Sequence, residues 1–187
     1  MPSTALVLLA HGFEEIEATT PIDLLRRAKT TVVLASCSGS LQVTGRSDIT
    51  LLADNLVEDL PDTLSFDLLI LPGGPAVFEI RSYPHIIALI RKFADSGKPI
   101  GAICAAPLLL LDAGILSGEK SYTAHGSTID ELPHIQEDQM VIQDGQIITS
   151  RGAGTAVEFG LTLIHHLYGR KKEQEIRKSI HADLPLR

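Results

Sequence analysis

Short, continuous apolar runs alternate along this 187-residue chain with longer stretches whose apolar positions recur every three or four residues. The first pattern is that of a strand buried on both faces, the second that of a helix with one face on a core. Thr4 to Ala10 reads as a strand and Glu15 to Ala28 as a helix. Within that helix Pro21 predicts a kink, or a restart with Thr20 as cap and Pro21 at the first helical position. Thr31 to Ser36 and Asp67 to Leu71 read as strands, and Tyr83 to Ser96 as a helix that Gly97 ends. Pro99 to Ile103 is the next strand and Ala105 to Ala113 the next helix, closed by Gly114. Leu41 to Leu52 and Met140 to Ser150 form two weaker pairs, with Asp144-Gly145 as a hairpin signal. Thr155 to Leu167 and Arg170 to His181 read as two closing helices.

Repeated strand–helix units with continuous apolar strands imply a parallel sheet covered on both faces. The expected fold class is α/β: a flavodoxin-like three-layer sandwich, mostly parallel, with helices on both faces, formed as one domain over residues 1–187. No internal repeat or long linker interrupts it. Sites in such folds lie beyond the C-terminal ends of the strands. That rule selects four loops, at His11-Gly12, Ser36-Cys37, Pro72-Gly73-Gly74 and Cys104.

Composition narrows the choice of partners. With 44% hydrophobic and 21% charged residues the chain has the make-up of an ordinary globular protein. No apolar stretch approaches the ~20 residues of a membrane span. A formal net charge of -7 disfavours a polyanion, so neither membrane association nor strong nucleic-acid binding is expected. The basic run "RKKEQEIRK" is interleaved with acids and reads as a solvated helix face. "MPSTALVLLAHGF" has no positive n-region and no cleavage site after its short apolar run, so it reads as a strand rather than a leader. Together with only two cysteines, this suggests a cytoplasmic protein with free thiols.

One of those cysteines stands at the join of a strand and a helix, in "GKPIGAICAAPLLLLDAG". At the positive end of a helix the Cys104 thiol pKa would be lowered and its thiolate fraction raised, and a sharp strand-to-helix turn is a nucleophile elbow. The turn alone leaves equally open that Cys104 is a small packed core residue. Gly73 and Gly74 would bring bare backbone N–H groups close to that thiol, where they can bind an oxyanion; the alternative is an ordinary glycine turn. Glu14 and Glu15 complement the start of the first helix and are expected to be solvated. Glu17 differs if it points towards the strand ends. A carboxyl buried beside a thiolate is pushed towards its protonated form and donates a hydrogen bond to sulfur. His125, before Gly126, is a candidate base for Cys104, although no acid stands next to it in sequence to complete a triad. "GAGTAV" from Gly152 lacks the third glycine of a dinucleotide loop, His165-His166 lack the partners of a metal site, and Cys37 reads as a packing residue. No cofactor and no metal are expected.

Four segments, "ALVLLAHGFEEIEATTPIDLLRRA", "DLLILPGG", "GKPIGAICAAP" and "IITSRGAGTAVEFGL", together resemble the ThiJ/PfpI superfamily, and within it the parkinsonism-associated, YajL-like deglycase branch. They span most of the chain in the right order. The resemblance implies that Cys104 is the nucleophile on a strained elbow and Glu17 the protonated carboxyl bonded to its sulfur. It implies that Gly73, Gly74 and Ala105 form the oxyanion and substrate-binding turn, the N–H groups of Gly74 and Ala105 binding the oxygen, and that His125 lies near the thiol. It also implies a homodimer, joined in part through the first helix. The activity it implies is a cofactor-independent glyoxalase or deglycase, acting on methylglyoxal, glyoxal or their early adducts with amines and thiols and releasing lactate or glycolate. The chain departs from the pattern at "PAVFEIRSYPHI", where Phe78 and Glu79 are expected to line the mouth, at "HGSTIDEL" after His125, and at Ala153, where proline is common.

The same cysteine serves a second reading, a redox sensor or oxidation-activated chaperone holding a sulfinate. A third, a PfpI-type peptidase or amidase, asks for an acid beside His125. A flavin-binding flavodoxin is the weakest alternative in a chain with 4% aromatic residues and no Trp.

Overall fold

The first strand, β1 (Thr4–Leu9), turns Ala5, Val7 and Leu9 into one core and Leu6 and Leu8 into another, as the period of two in a strand requires when both faces are covered. The computed structural model describes residues 3–60, 65–117 and 119–183; of the expected span 1–187, residues 1–2, 61–64, 118 and 184–187 lie outside the described residues. After helix α1 (Glu15–Arg27) come β2 (Thr31–Ser36), the antiparallel pair β3 (Gln42–Thr44) and β4 (Thr50–Leu52), the short β5 (Asn55–Leu56) and β6 (Leu68–Leu71). Helices α2 (Ala76–Ile80) and α3 (Pro84–Asp95) precede β7 (Ile100–Ile103), and α4 (Pro107–Asp112) follows it. The hairpin β8 (Val141–Asp144) and β9 (Ile147–Ser150), then α5 (Ala156–Tyr168) and α6 (Arg170–Ser179), complete the order.

The main sheet runs β5-β2-β1-β6-β7-β9-β8. Every neighbouring pair is parallel except β8–β9 at the edge. The order β2-β1-β6-β7-β9 is that of a flavodoxin-like sheet, in which the direction of strand addition reverses between β1 and β6. Side chains of α1, α5 and α6 fill the core on one face, among them Leu25, Phe159 and Ile176. Side chains of α2, α3 and α4 fill the other, among them Val77, Phe93 and Leu109. Helix α5 lies directly on β7: a β-carbon on Gly101 would stand 2.8 Å from Leu163 Cδ2 and 2.9 Å from Phe159 Cζ.

Three local expectations change. Helix α1 runs through Pro21 without a restart, because Ala18 before the proline and Ile22, Leu24 and Leu25 after it are buried in the same core as α5. Helix α4 begins at Pro107 rather than Ala105, and residues 104–106 form a turn. Cys104 has φ +65°, which no helix accommodates, and Pro107 takes the first helical position, where its missing N–H costs nothing. The hairpin loop is Gly145-Gln146, with Asp144 paired to Ile147 as the last rung. Among the described residues no helix is long and apolar enough to cross a membrane.

Candidate functional site

Three loops leave the C-terminal ends of β1, β6 and β7 next to one another, at the point where the order of strand addition reverses. After β1, Glu14 N–H donates to Gly73 O at 3.0 Å and Ala76 N–H to Gly12 O at 3.2 Å, tying the first loop to the second. Glu14 also caps α1, its Oε2 accepting from Glu17 N–H at 2.7 Å. That cap starts the helix so that Glu17 points inward. Glu17 is 1% exposed, and its Oε2 accepts from Gly73 N–H at 3.1 Å.

Gly73 has no room for a side chain, since a β-carbon would lie 2.5 Å from Glu17 Oε2 and 2.6 Å from Cys104 Cβ. Gly74 has φ +96°, and a β-carbon there would meet Gly12 O at 2.5 Å. Both glycines are therefore fixed by close approach, and Gly74 also by its left-handed backbone. Beyond β7, Cys104 adopts a left-handed conformation of the kind that costs about 1–3 kcal/mol and is kept only where the surroundings hold it. They do hold it: Cys104 N–H donates to Ser150 O at 2.9 Å, and Cys104 O accepts from His125 N–H at 2.9 Å. The strained elbow expected of this sequence is present.

The Glu17 carboxyl and the backbone N–H groups of Gly74 and Ala105 are the polar groups that act on the Cys104 sulfur. Burial pushes Glu17 up to about 7; the Glu14 charge adds to this, while the thiol and the N–H groups of Gly73 and Ala153 pull the other way. Burial also pushes the Cys104 thiol up to about 12, followed by the Glu17 charge and the hydrogen bond to it, against the two N–H groups. This overturns the expectation of a thiol lowered by a helix N-terminus. The helix starts three residues later and is only six residues long, whereas the desolvation and the carboxylate act directly on the sulfur. The two groups titrate as a pair. Above about pH 7 they share one proton and one negative charge, because the doubly ionised pair is penalised by burial and by repulsion. A proton on Glu17 removes that repulsion and turns the same hydrogen bond into a donor to a thiolate.

His125 is exposed, and its Nδ1 accepts from Ser127 N–H at 3.2 Å and contacts Ser127 Oγ at 2.8 Å. Among the described residues no carboxylate bonds to it. A β-carbon on Gly152 would lie 3.6 Å from Glu17 Oε1 and 3.7 Å from His125 Cδ2, so residue 152 separates these two groups in the wall of the site. Gly152 and Ala153 were not singled out from sequence as site residues. The signal for them was present, since "SRGAGT" leaves the C-terminal end of β9.

Glu15 also differs from expectation. It is buried rather than solvated, its Oε1 accepting from Ser47 N–H at 2.7 Å, and its pKa is lowered because the backbone donors of the β3–β4 turn outweigh its burial. The loop after β2 supports His11, whose N–H donates to Ser38 Oγ at 2.9 Å. Cys37 is buried, which pushes its thiol up to about 12. Phe78 is half exposed, and Glu79 accepts the Tyr83 hydroxyl at 2.6 Å. His166 pairs with Gln143 at 2.9 Å, and no cluster fit to hold a metal ion occurs among the described residues.

Residues 3–166 match the DJ-1/PfpI family. Protein DJ-1 homolog B of Arabidopsis thaliana is 40% identical over 178 residues, 93% of this chain and 40% of that protein. The chain therefore spans less than half the length of that relative. Protein dj-1beta of Drosophila melanogaster is 37% identical over 96% of this chain and 97% of its own. Its crystal structure superposes with a TM-score of 0.90 over 96% of this chain and 98% of that one. A Caenorhabditis elegans protein named glutathione-independent glyoxalase DJR-1.2 is 34% identical over 95% of both chains.

Proposed function

This chain belongs to the DJ-1/PfpI family, and from that membership and its site we propose that it is a cofactor-independent, cysteine-dependent glyoxalase or deglycase. Its substrates would be methylglyoxal, glyoxal or their early adducts with amines and thiols. The observation that carries this reading is the buried Glu17 carboxyl facing the Cys104 side chain across Gly73, with the N–H groups of Gly74 and Ala105 acting on the same sulfur. The glyoxalase named among the relatives supports a small reactive carbonyl as substrate. Ile16, half exposed on the outer side of α1, supports pairing with a second copy there.

In the proposed reaction the thiol proton moves to the Glu17 carboxylate, leaving a thiolate beside a neutral acid. Sulfur attacks the aldehyde carbon of methylglyoxal. The S–C bond forms as the carbonyl π pair moves to oxygen, which the Gly74 and Ala105 N–H groups stabilise before Glu17 returns the proton. Glu17 or His125 then removes the hydrogen on that carbon while the neighbouring ketone oxygen is protonated, giving an enediol. Reprotonation at the second carbon and loss of the first hydroxyl proton leave a lactoyl thioester. Water adds to its carbonyl, the C–S bond breaks, and lactate and the thiol are released. One carbon is oxidised by two electrons as its neighbour is reduced by two, so no external oxidant or cofactor enters the balance.

The test is lactate production from methylglyoxal under reducing conditions, by the native chain and by Cys104→Ser. Catalytic lactate that vanishes in the variant is the expected result; equal lactate from both removes Cys104 from the chemistry. A second reading is supported by the same two N–H groups, which would hold the oxygens of a Cys104 sulfinate. It makes the protein a redox sensor or an oxidation-activated chaperone. Absence of turnover, with selective oxidation of Cys104 over the buried Cys37 by mild peroxide, would favour it.

A further inference from the structure

The guanidinium of Arg81 makes two bidentate ion pairs at once. Its Nε and Nη2 donate to Asp112 Oδ2 and Oδ1, and its Nη1 and Nη2 donate to Glu131 Oε1 and Oε2, all four at 2.8 Å. The Arg81 side chain is 21% exposed. Asp112 is one-quarter exposed and Glu131 nearly half exposed, but four charge-assisted bonds from one planar fork hold a fixed geometry that a single surface pair does not.

The three residues joined there stand at the far ends of the segments that carry the site. Arg81 ends the stretch that leaves Gly74: Val77 N–H donates to Gly74 O at 3.2 Å and Arg81 N–H to Val77 O at 3.1 Å. Asp112 is the last residue of α4, which follows the Cys104 turn. Glu131 lies on the turn after His125, where Thr128 N–H donates to His125 O at 3.0 Å and Glu131 N–H to Thr128 O at 3.1 Å. Cys104 and His125 meet through the backbone at the near end, and their segments meet again at Arg81.

We infer that Arg81, through its pairs with Asp112 and Glu131, is a positioning residue that fixes the segments carrying Gly74, Cys104 and His125 relative to one another. The guanidinium touches no reacting group; its effect on catalysis passes through the placement of those three and so rests on their proposed use.

The experiment combines amide exchange over residues 126–132, the pH profile of Cys104 alkylation by iodoacetamide, and lactate kinetics, in the native chain, Arg81→Met, Arg81→Lys and Glu131→Gln. Arg81→Met is expected to raise exchange in that segment about tenfold. It is expected to lower kcat by about tenfold or more with KM nearly unchanged, since sub-ångström misplacement is felt in the reacting geometry. Glu131→Gln should reproduce the exchange, and Arg81→Lys should restore part of both effects. A lower melting temperature in Arg81→Met with exchange and the alkylation profile as in the native chain overturns the inference. If the native chain forms no lactate, the proposed reaction fails while exchange and alkylation still decide the role of Arg81. Should Arg81→Met not fold, Glu131→Gln decides by the same two measurements.

Discussion

Glu17 and Cys104 meet across Gly73, on which a β-carbon would lie 2.5 Å from Glu17 Oε2 and 2.6 Å from Cys104 Cβ. The carboxyl arrives from the helix after β1, the thiol from the turn after β7, and the glycine from the end of the strand between them. Their contact requires that the middle strand contribute no side chain at that point.

Gly73→Ala therefore forces the two groups apart. Its β-carbon would also meet Ile103 O at 2.8 Å, which is backbone and yields little. The expected loss is about 1–3 kcal/mol of stability, as for overpacking elsewhere, with Cys104 alkylation no longer showing a rise near neutral pH. Urea denaturation and the alkylation profile check both parts; a native profile would mean that the pair survives the insertion.

Glu17→Gln leaves the shape and removes the proton acceptor. In the native chain Cys104 alkylation and kcat/KM should rise through about pH 7, where the pair loses its first proton, and alkylation should rise again only as the second is lost far above. The variant should lose that step and fall in kcat by about 10²- to 10⁴-fold, the usual worth of a positioned acid or base. An unchanged profile in Glu17→Gln would remove Glu17 from the mechanism.

Stability should report the same carboxyl. A Glu raised from 4.5 to about 7 binds its proton more tightly folded than unfolded. Its contribution is complete below about pH 4.5 and is lost as the pH rises through 7. The native chain should therefore lose on the order of 3 kcal/mol relative to Glu17→Gln over that interval. The Cys104 shift does not interfere, because a thiol raised from 9 affects stability only above pH 9. Denaturant midpoints of both proteins at pH 4.5 and 7.5 measure the difference; parallel pH dependence would show that Glu17 is ionised at no cost.

His125→Ala separates proton transfer from thiol activation. The His125 ring is held by Ser127 and joined to Cys104 through its backbone. Its loss should leave Cys104 alkylation within about twofold of native and reduce turnover by about 10²-fold or more, if the imidazole carries the proton between carbons. Equal losses in both measurements would make it an activator of the thiol instead.

Most of the strand and helix order was legible from apolar pattern and turn residues, because a strand buried on both faces and a helix with one apolar stripe leave different marks in sequence; β5 and α2 were not, since two and five residues are too short to show a period. The loops at Gly73 and Cys104 followed from the strand ends. The sequence did not reveal the burial of Glu15, which depends on the β3–β4 turn folding over the start of α1, and it left open whether the helix restarts at Pro21, which packing against α5 decides. It also left open whether Cys104 was reactive or merely packed, until the resemblance to a family weighed on that choice.

Sequence by itself determined a parallel α/β sheet and placed a cysteine, a glycine pair and an acid at strand ends, since those are matters of local pattern and chain order. Only the tertiary structure decided how the thiol titrates. A helix start read along the chain argued for a lowered pKa, but the field at the sulfur comes from Glu17, brought there by a different strand, and from the surrounding protein that excludes water. Desolvation and charge act through space, and the distances that set them are fixed by the sheet.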